Sequence, residues 1–284
     1  MNAASPLSKS VTLPSGENVP AFGLGTWRMG ESGARRASEV AIVRLAVDLG
    51  VRLIDTAEMY GEGGAEEAIA EAIAGRRDEL FIVSKVYPHN ASRKATIAAC
   101  ERSLKRLKTD RIDLYLLHWP ASVPIAETLG AFMTLKGAGK IRHYGVSNFD
   151  AGELAELWKA PGGHDIQTNQ LLYNLVRRGI EWDTLPWMRE RGIPAMAYSP
   201  LEQARLLSNR QLVAFARDNG MTPAQAALRW LLVQDDMIVI PKTTSPERLK
   251  ENIAALDRAL TPDEVAELDR LFPGPSGRSP LEML

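Results

Sequence analysis

Cysteine is nearly absent: Cys100 is the only one in 284 residues. An internal disulfide is therefore excluded, and a reducing, cytoplasmic setting is expected. Excess charge of one sign is also missing, with 34 Lys and Arg against 35 Asp and Glu. That balance offers no footprint for nucleic acid or an anionic membrane. No apolar run approaches the ~20 residues of a membrane span, and "MNAASPLSKSV" lacks the apolar segment of a secretory signal. His89, His118, His143 and His164 show no ligand spacing, so no metal site is expected. His89, His143 and His164 read as loop or surface residues. The usual dinucleotide fingerprint is missing too: "GLGTWR" lacks the last glycine, and "GEGGA" precedes a helix at the wrong spacing. No Walker A sequence and no Tyr-x-x-x-Lys occur.

What is present is an alternation. Strand-length apolar runs at 21–27, 52–56, 80–85, 112–118, 141–148, 165–170, 193–200 and 237–244 are separated by amphipathic helical stretches. Strands joined by helical crossovers pair in parallel with both faces covered. Eight such units predict an α/β fold, a (β/α)8 TIM barrel; a doubly wound sheet is the alternative. "SVTLPSGENVP" reads as an N-terminal β-hairpin that could plug the barrel's bottom, and Pro262 opens an additional C-terminal helix. No linker or composition shift divides the chain, so residues 1–284 are expected to form a single domain, and nothing suggests more than a monomer.

The strand ends are where a barrel carries its chemistry. The second run ends on Asp55, the third on Lys85, the fourth on His118 and the fifth on Ser147-Asn148; the last three end on Asn169-Gln170, Tyr198-Ser199 and Lys242-Thr243. Singly, each has an ordinary structural reading. Asp55 could cap a turn, Lys85 could hold its ammonium in water, His118 could be a satisfied ring, and Trp119 could fill the core before a proline. Cys100 reads as a small core side chain on a helix. Apolar strands that each finish on a polar group point together to a site. After the eighth run, Ser245 is an N-cap type with Pro246 at the first helical position. A helix N-terminus flanked by Lys242 and Arg248 is an anion site, or else a well-capped surface helix.

In chain order, "GLGTW" (23–27), "DTAEMYG" (55–61), "SKV" (84–86), "LLHWP" (116–120), "GVSNF" (145–149), "AYSPL" (197–201) and "IPKTTSPERLKEN" (240–252) resemble the signatures of the aldo-keto reductase family. The likeness spans nearly the whole chain and is strongest to the compact bacterial methylglyoxal and aldehyde reductases. It implies a catalytic group of Asp55, Tyr60, Lys85 and His118, in which Asp55 holds Lys85 charged. Lys85 would lower the Tyr60 pKa by ~1–3 units, and a neutral His118 would hold the substrate carbonyl.

The resemblance also implies NADP(H) as cofactor. Lys242, Thr243, Thr244 and Arg248 would grip its 2′-phosphate, with Glu251 and Asn252 at the adenine. Ser147, Asn148 and Gln170 would bond the carboxamide, Tyr198 would stack on the ring, and Ser199 and Leu201 would line the pyrophosphate path. Thr26 and Trp27 would close the opposite side beside Asp55, and Trp27, Tyr87, His118 and Trp119 would wall the pocket for a small-molecule carbonyl substrate. The expected activity is NADPH-dependent reduction of aldehydes and 2-oxoaldehydes, with Tyr60 as general acid. The alternative is an NADPH-binding, redox-sensing barrel with little turnover. A curtailed loop after "SPL" and a short tail imply fast cofactor exchange and an open pocket.

Overall fold

The structure, a computed structural model, describes residues 6–284. A two-stranded antiparallel hairpin, β1 (Ser10–Thr12) and β2 (Asn18–Pro20), precedes eight parallel strands. These are β3 (Gly23–Gly25), β4 (Leu53–Asp55), β5 (Phe81–Val86), β6 (Ile112–Leu117), β7 (Ile141–Ser147), β8 (Asn169–Leu172), β9 (Ala195–Tyr198) and β10 (Met237–Val239), adjacent in chain order. The ring closes between its ends. Phe22 bridges Val239 and Gly25 bridges Lys242, and the Gly25 amide donates to the Pro241 carbonyl at 3.1 Å. A Cβ on Gly25 would stand 2.9 Å from the Ile240 carbonyl oxygen, so the seam requires glycine. The result is the (β/α)8 barrel with its hairpin.

Local chemistry explains the elements. Every residue of β5 and β6 is buried, as expected of strands covered inside by the barrel core and outside by helices. Reciprocal capping boxes, Asp150 with Glu153, Thr222 with Gln225 and Thr261 with Glu264, start α5 (Ala151–Lys159), α8 (Pro223–Leu232) and α10 (Pro262–Leu271). The helices α1 (Arg36–Asp48), α2 (Gly64–Ala72), α3 (Arg93–Leu107), α4 (Ile125–Gly137), α6 (Thr184–Arg189) and α9 (Pro246–Ile253) follow their strands. The stretch after β9 holds two helices, because Gly220 turns left-handed between α7 (Arg210–Asp218) and α8. Cys100 is fully buried on α3.

Two expectations need correcting. The sixth strand begins at Asn169 rather than ending near it, since Gly163–Asp165 is taken up in a 3-10 turn and Leu171-Leu172 carry the pairing onward. His143 is not a surface or loop residue. It lies buried in β7, with Nε2 2.6 Å from Glu17 of the hairpin turn, while Arg142 holds the same carboxylate at 2.7 and 2.8 Å. These contacts fasten the hairpin to the strand starts, at the bottom of the barrel. Burial alone would raise the Glu17 pKa, but its bonds to His143 and Arg142 bring it below the usual value. Among the described residues, no helix is long and apolar enough to cross a membrane, and no cluster of metal-ligand side chains occurs.

Candidate active site

At the opposite end of the barrel, the end of β4 and the residue after β6 bring Asp55 and His118 to the mouth, and Lys85 stands near the end of β5, two residues beyond the partner of Asp55. Lys85 is fully buried. Its Nζ lies 2.8 Å from both Asp55 carboxylate oxygens, 2.7 Å from the Thr56 carbonyl and 3.4 Å from Tyr60 Oη. Gln170 donates its amide to Asp55 Oδ1 at 2.7 Å, completing the carboxylate's surroundings. Tyr60 opens a 3-10 turn, and the His118 ring meets it edge-on at 5.8 Å between centroids.

The glycine cluster beside Tyr60 fixes that turn. Gly30 and Gly61 are left-handed, and a Cβ on Gly30 would lie 2.2 Å from the Gly64 carbonyl carbon. A Cβ on Gly61 would lie 2.5 Å from the Gly30 carbonyl carbon. The loop after β3 and the loop after β4 thus touch backbone to backbone, an approach open only to glycine.

The electrostatics differ from the expectation in one respect. Tyr60 is not acidified by Lys85; its pKa is pushed well above the ordinary phenol value. Burial is the main cause and the nearby Asp55 charge adds to it, although Tyr60 also lines the cavity. The Lys85 charge is committed to the carboxylate it touches twice. Burial raises Asp55 and lowers Lys85, and their mutual attraction opposes both shifts. His118 is pushed down to about 2, by burial first and by Lys85 second, so the ring is neutral. Its Nδ1 is buried without a partner, which leaves Nε2 as the nitrogen available to a ligand.

One cavity of about 570 Å³ runs from Asp55, Tyr60 and His118 to Lys242, Arg248, Glu251 and Asn252. Trp27, Trp119, Ser147, Asn148, Gln170, Tyr198, Ser199, Leu201, Thr243 and Thr244 also line it. Its polar wall is already self-bonded. Ser147 Oγ donates to the Gln170 carbonyl at 2.9 Å, Asn148 Nδ2 donates to the His118 carbonyl at 3.1 Å, and Tyr198 Oη donates to Asn148 Oδ1 at 3.0 Å. At the far end, Ser245 caps α9 by accepting from the Arg248 amide at 3.2 Å, and Arg248 and Lys242 flank that N-terminus. A chain of polar groups leading to a basic, donor-rich helix start fits an elongated ligand that ends in phosphate.

Two candidates lie outside the lining. Thr26 is buried below it, giving its hydroxyl to the Asp55 carbonyl at 2.9 Å. Tyr87 stands behind Trp119, with ring centroids 5.0 Å apart, on a loop that Glu58 holds through the Tyr87 amide at 2.8 Å. Arg28, Met59, Gln203, Met283 and Leu284 line the cavity unanticipated. Arg28 directly follows Trp27, an adjacency that could have flagged it; nothing local in the sequence marks the tail pair. That short tail nevertheless reaches the cavity.

Comparison with known proteins agrees with this geometry. The Aldo/keto reductase family model matches residues 21–272. The chain is 45% identical to the methylglyoxal reductase YeaE of Escherichia coli, over 97% of this chain and 99% of that one. It is 36% identical to a glyoxal reductase of Bacillus subtilis, over 93% of each. An aldo/keto reductase from Klebsiella pneumoniae, solved with NADP and acetate, superposes with a TM-score of 0.94 at 46% identity, covering 97% of this chain and 99% of that one.

Proposed function

The chain belongs to the aldo/keto reductase family and is an NADP(H)-dependent oxidoreductase of carbonyl groups; from that premise we propose that it reduces aldehydes and 2-oxoaldehydes of the methylglyoxal kind to alcohols, with Tyr60 as general acid. The observation that carries this reading is the contact of one buried lysine with Asp55, Thr56 and Tyr60 beneath a cavity that also exposes His118.

Counting donors sets the direction of the proton. An ammonium has three N–H groups. Four oxygens share them, both of Asp55 and that of Thr56 at 2.7–2.8 Å and Tyr60 Oη at 3.4 Å, and because an ammonium has no lone pair it can only be the donor in each contact. The phenol oxygen therefore accepts from Lys85 and keeps its own O–H for the cavity. His118, neutral and with Nδ1 enclosed, presents Nε2–H to the same carbonyl oxygen. When bound, the reduced nicotinamide supplies a hydride to the carbonyl carbon. As the oxygen takes on alkoxide character it becomes a stronger base than phenolate, and the Tyr60 proton moves to it. Lys85 then stabilises the phenolate left behind. A raised pKa suits this order, because the proton stays on Tyr60 until the alkoxide forms.

The supporting roles follow the lining. Ser147, Asn148 and Gln170 would exchange their mutual bonds for bonds to the carboxamide, with Tyr198 against the ring; Ser199, Leu201 and Arg28 would follow the pyrophosphate. Lys242, Thr243, Thr244 and Arg248 would take the 2′-phosphate, and Glu251 and Asn252 the adenine. Thr26 would act only through Asp55, and Tyr87 only by backing Trp119. Trp27, Met59 and Trp119 would face the substrate.

The test is NADPH consumption with a panel in which methylglyoxal is compared with aromatic aldehydes. NADPH binding with negligible turnover on the whole panel would instead favour a redox-sensing barrel. Replacing Arg248 by Ala is expected to raise KM for NADPH about tenfold or more and to leave KM for NADH nearly unchanged, since a charged phosphate contact is worth ~1.5–3 kcal/mol. Equal effects on both nucleotides would move Arg248 away from the 2′-phosphate. The pH profile of kcat/KM is expected to be flat from about pH 6 to about pH 9, because His118 protonates far below that window and Tyr60 ionises above its ordinary value of about 10. A fall beginning near neutrality that is lost in Tyr60→Phe would show an acidified phenol instead.

A further inference from the structure

Two flanks of the cavity are tied together by contacts that the reaction does not use. One is the segment 199–204 after β9, and the other is the tail pair Met283 and Leu284. A line of charges joins them through a third segment, the loop after β8. Arg177 in that loop donates Nε and Nη2 to Glu202 Oε1 at 3.1 and 2.9 Å, and Nη1 to Glu282 Oε1 at 2.5 Å. Asn174 of the same loop gives its amide to Glu202 Oε2 and to the Ser199 carbonyl, both at 2.9 Å. Arg205 adds a contact to Glu202 Oε1 at 2.9 Å.

Glu202 is the anchor. It is buried, and although burial raises its pKa, the bonds from Arg177 and Asn174 outweigh that and keep it ionised. The backbone it holds is strained. Ser199, Glu202, Gln203 and Ala204 have φ of 47°, 50°, 53° and 71°, and none is glycine. Left-handed backbone in such residues persists only where the surroundings dictate it. Here the Glu202 carboxylate contacts, the Asn174 bond to the Ser199 carbonyl and the backbone bonds of Glu202 to Ser199 and of Ala204 to Leu201 hold it. The other end of the line is Glu282, immediately before the two tail residues that line the cavity.

We infer that the Glu202–Arg177–Glu282 line is a positioning device coupling the nucleotide-facing segment 199–204 to the tail, so that releasing the tail end shortens the residence of NADPH. The inference rests on the proposal above that this segment follows the pyrophosphate. Glu282 itself does not line the cavity; its carboxylate meets the nucleotide-facing segment by way of Arg177, whereas the adjoining Met283 and Leu284 border the cavity directly, and the double variant separates the two routes.

The experiment measures the NADPH dissociation rate by stopped-flow tryptophan fluorescence, without substrate, in wild type, Glu282→Gln, Arg177→Met and the double variant. Glu282→Gln is expected to speed release about three- to fivefold, the scale of a partly exposed ion pair. Arg177→Met is expected to speed it further. The double variant should match Arg177→Met alone, because one connection has been cut twice. A shift in thermal midpoint alone, with unchanged release in Glu282→Gln, overturns the inference, as do effects that multiply in the double variant. Wild-type protein that shows no NADPH quenching refutes the nucleotide reading itself, and the coupling with it. That result is distinct from normal wild-type binding with an unaltered rate in the variants.

Discussion

Replacing Tyr60 by Phe is expected to lower kcat/KM for aldehyde reduction by about 10²–10⁴ and to leave NADPH affinity within about twofold. The substitution removes one oxygen and keeps the ring that meets His118 edge-on. Shape, apolar contact and the neutral imidazole remain, so substrate should still enter and sit near the hydride donor. Only the proton is lost. The Lys85 N–H that Tyr60 accepted would then point at empty space or at water, a poor relay toward the carbonyl. KM for aldehyde should change much less than kcat. A Phe variant with near-normal turnover would remove Tyr60 from the chemistry and leave His118 or solvent as the proton source.

The second large effect falls on the buried pair. Lys85→Met is expected to reduce turnover at least as much as Tyr60→Phe and, unlike it, to destabilise the protein by about 3–5 kcal/mol. The cause is the carboxylate left behind, since Asp55 is 2% exposed and would retain only the Gln170 amide as a partner. Asp55→Asn combined with Lys85→Met removes that isolated charge, so it should recover most of the stability and none of the activity. Urea unfolding followed by circular dichroism reads the first quantity and NADPH turnover the second. A single cooperative transition is the expected result. If the double variant were as unstable as Lys85→Met, the loss would come from packing around the missing lysine rather than from Asp55.

Much of this architecture is legible in the sequence for a physical reason. Strands covered on both faces, such as Phe81–Val86 and Ile112–Leu117, are mostly apolar, so polar groups at their C-terminal ends, Lys85 and His118, stand out as marking the barrel mouth. That is how Asp55, Lys85 and His118 could be selected without coordinates. What was not legible depended on how groups meet in space. A lysine near a phenol lowers its pKa only where burial does not outweigh its charge, and here burial pushes Tyr60 up, with the Asp55 charge adding to it. His143 looks like any surface histidine until the hairpin folds under β7 and brings Glu17 to it. Tyr87 and Trp119 are both aromatic and both at strand ends, yet only one faces the cavity, because a loop held by Glu58 turns the other behind it. The tail pair carries no motif, and the residue before it, Glu282, meets Arg177, which lies far earlier in the chain.

The backbone contact among Gly30, Gly61 and Gly64 bears on how such a centre could be transplanted. A designer who moved only the Tyr60 turn to another barrel would supply the phenol without the surface against which its turn is moulded. The two loops form a single joint made of main chain, so they would have to travel together, and random mutagenesis aimed at new substrates should find the three glycines intolerant while the neighbouring Met59 and Trp27 accept replacement.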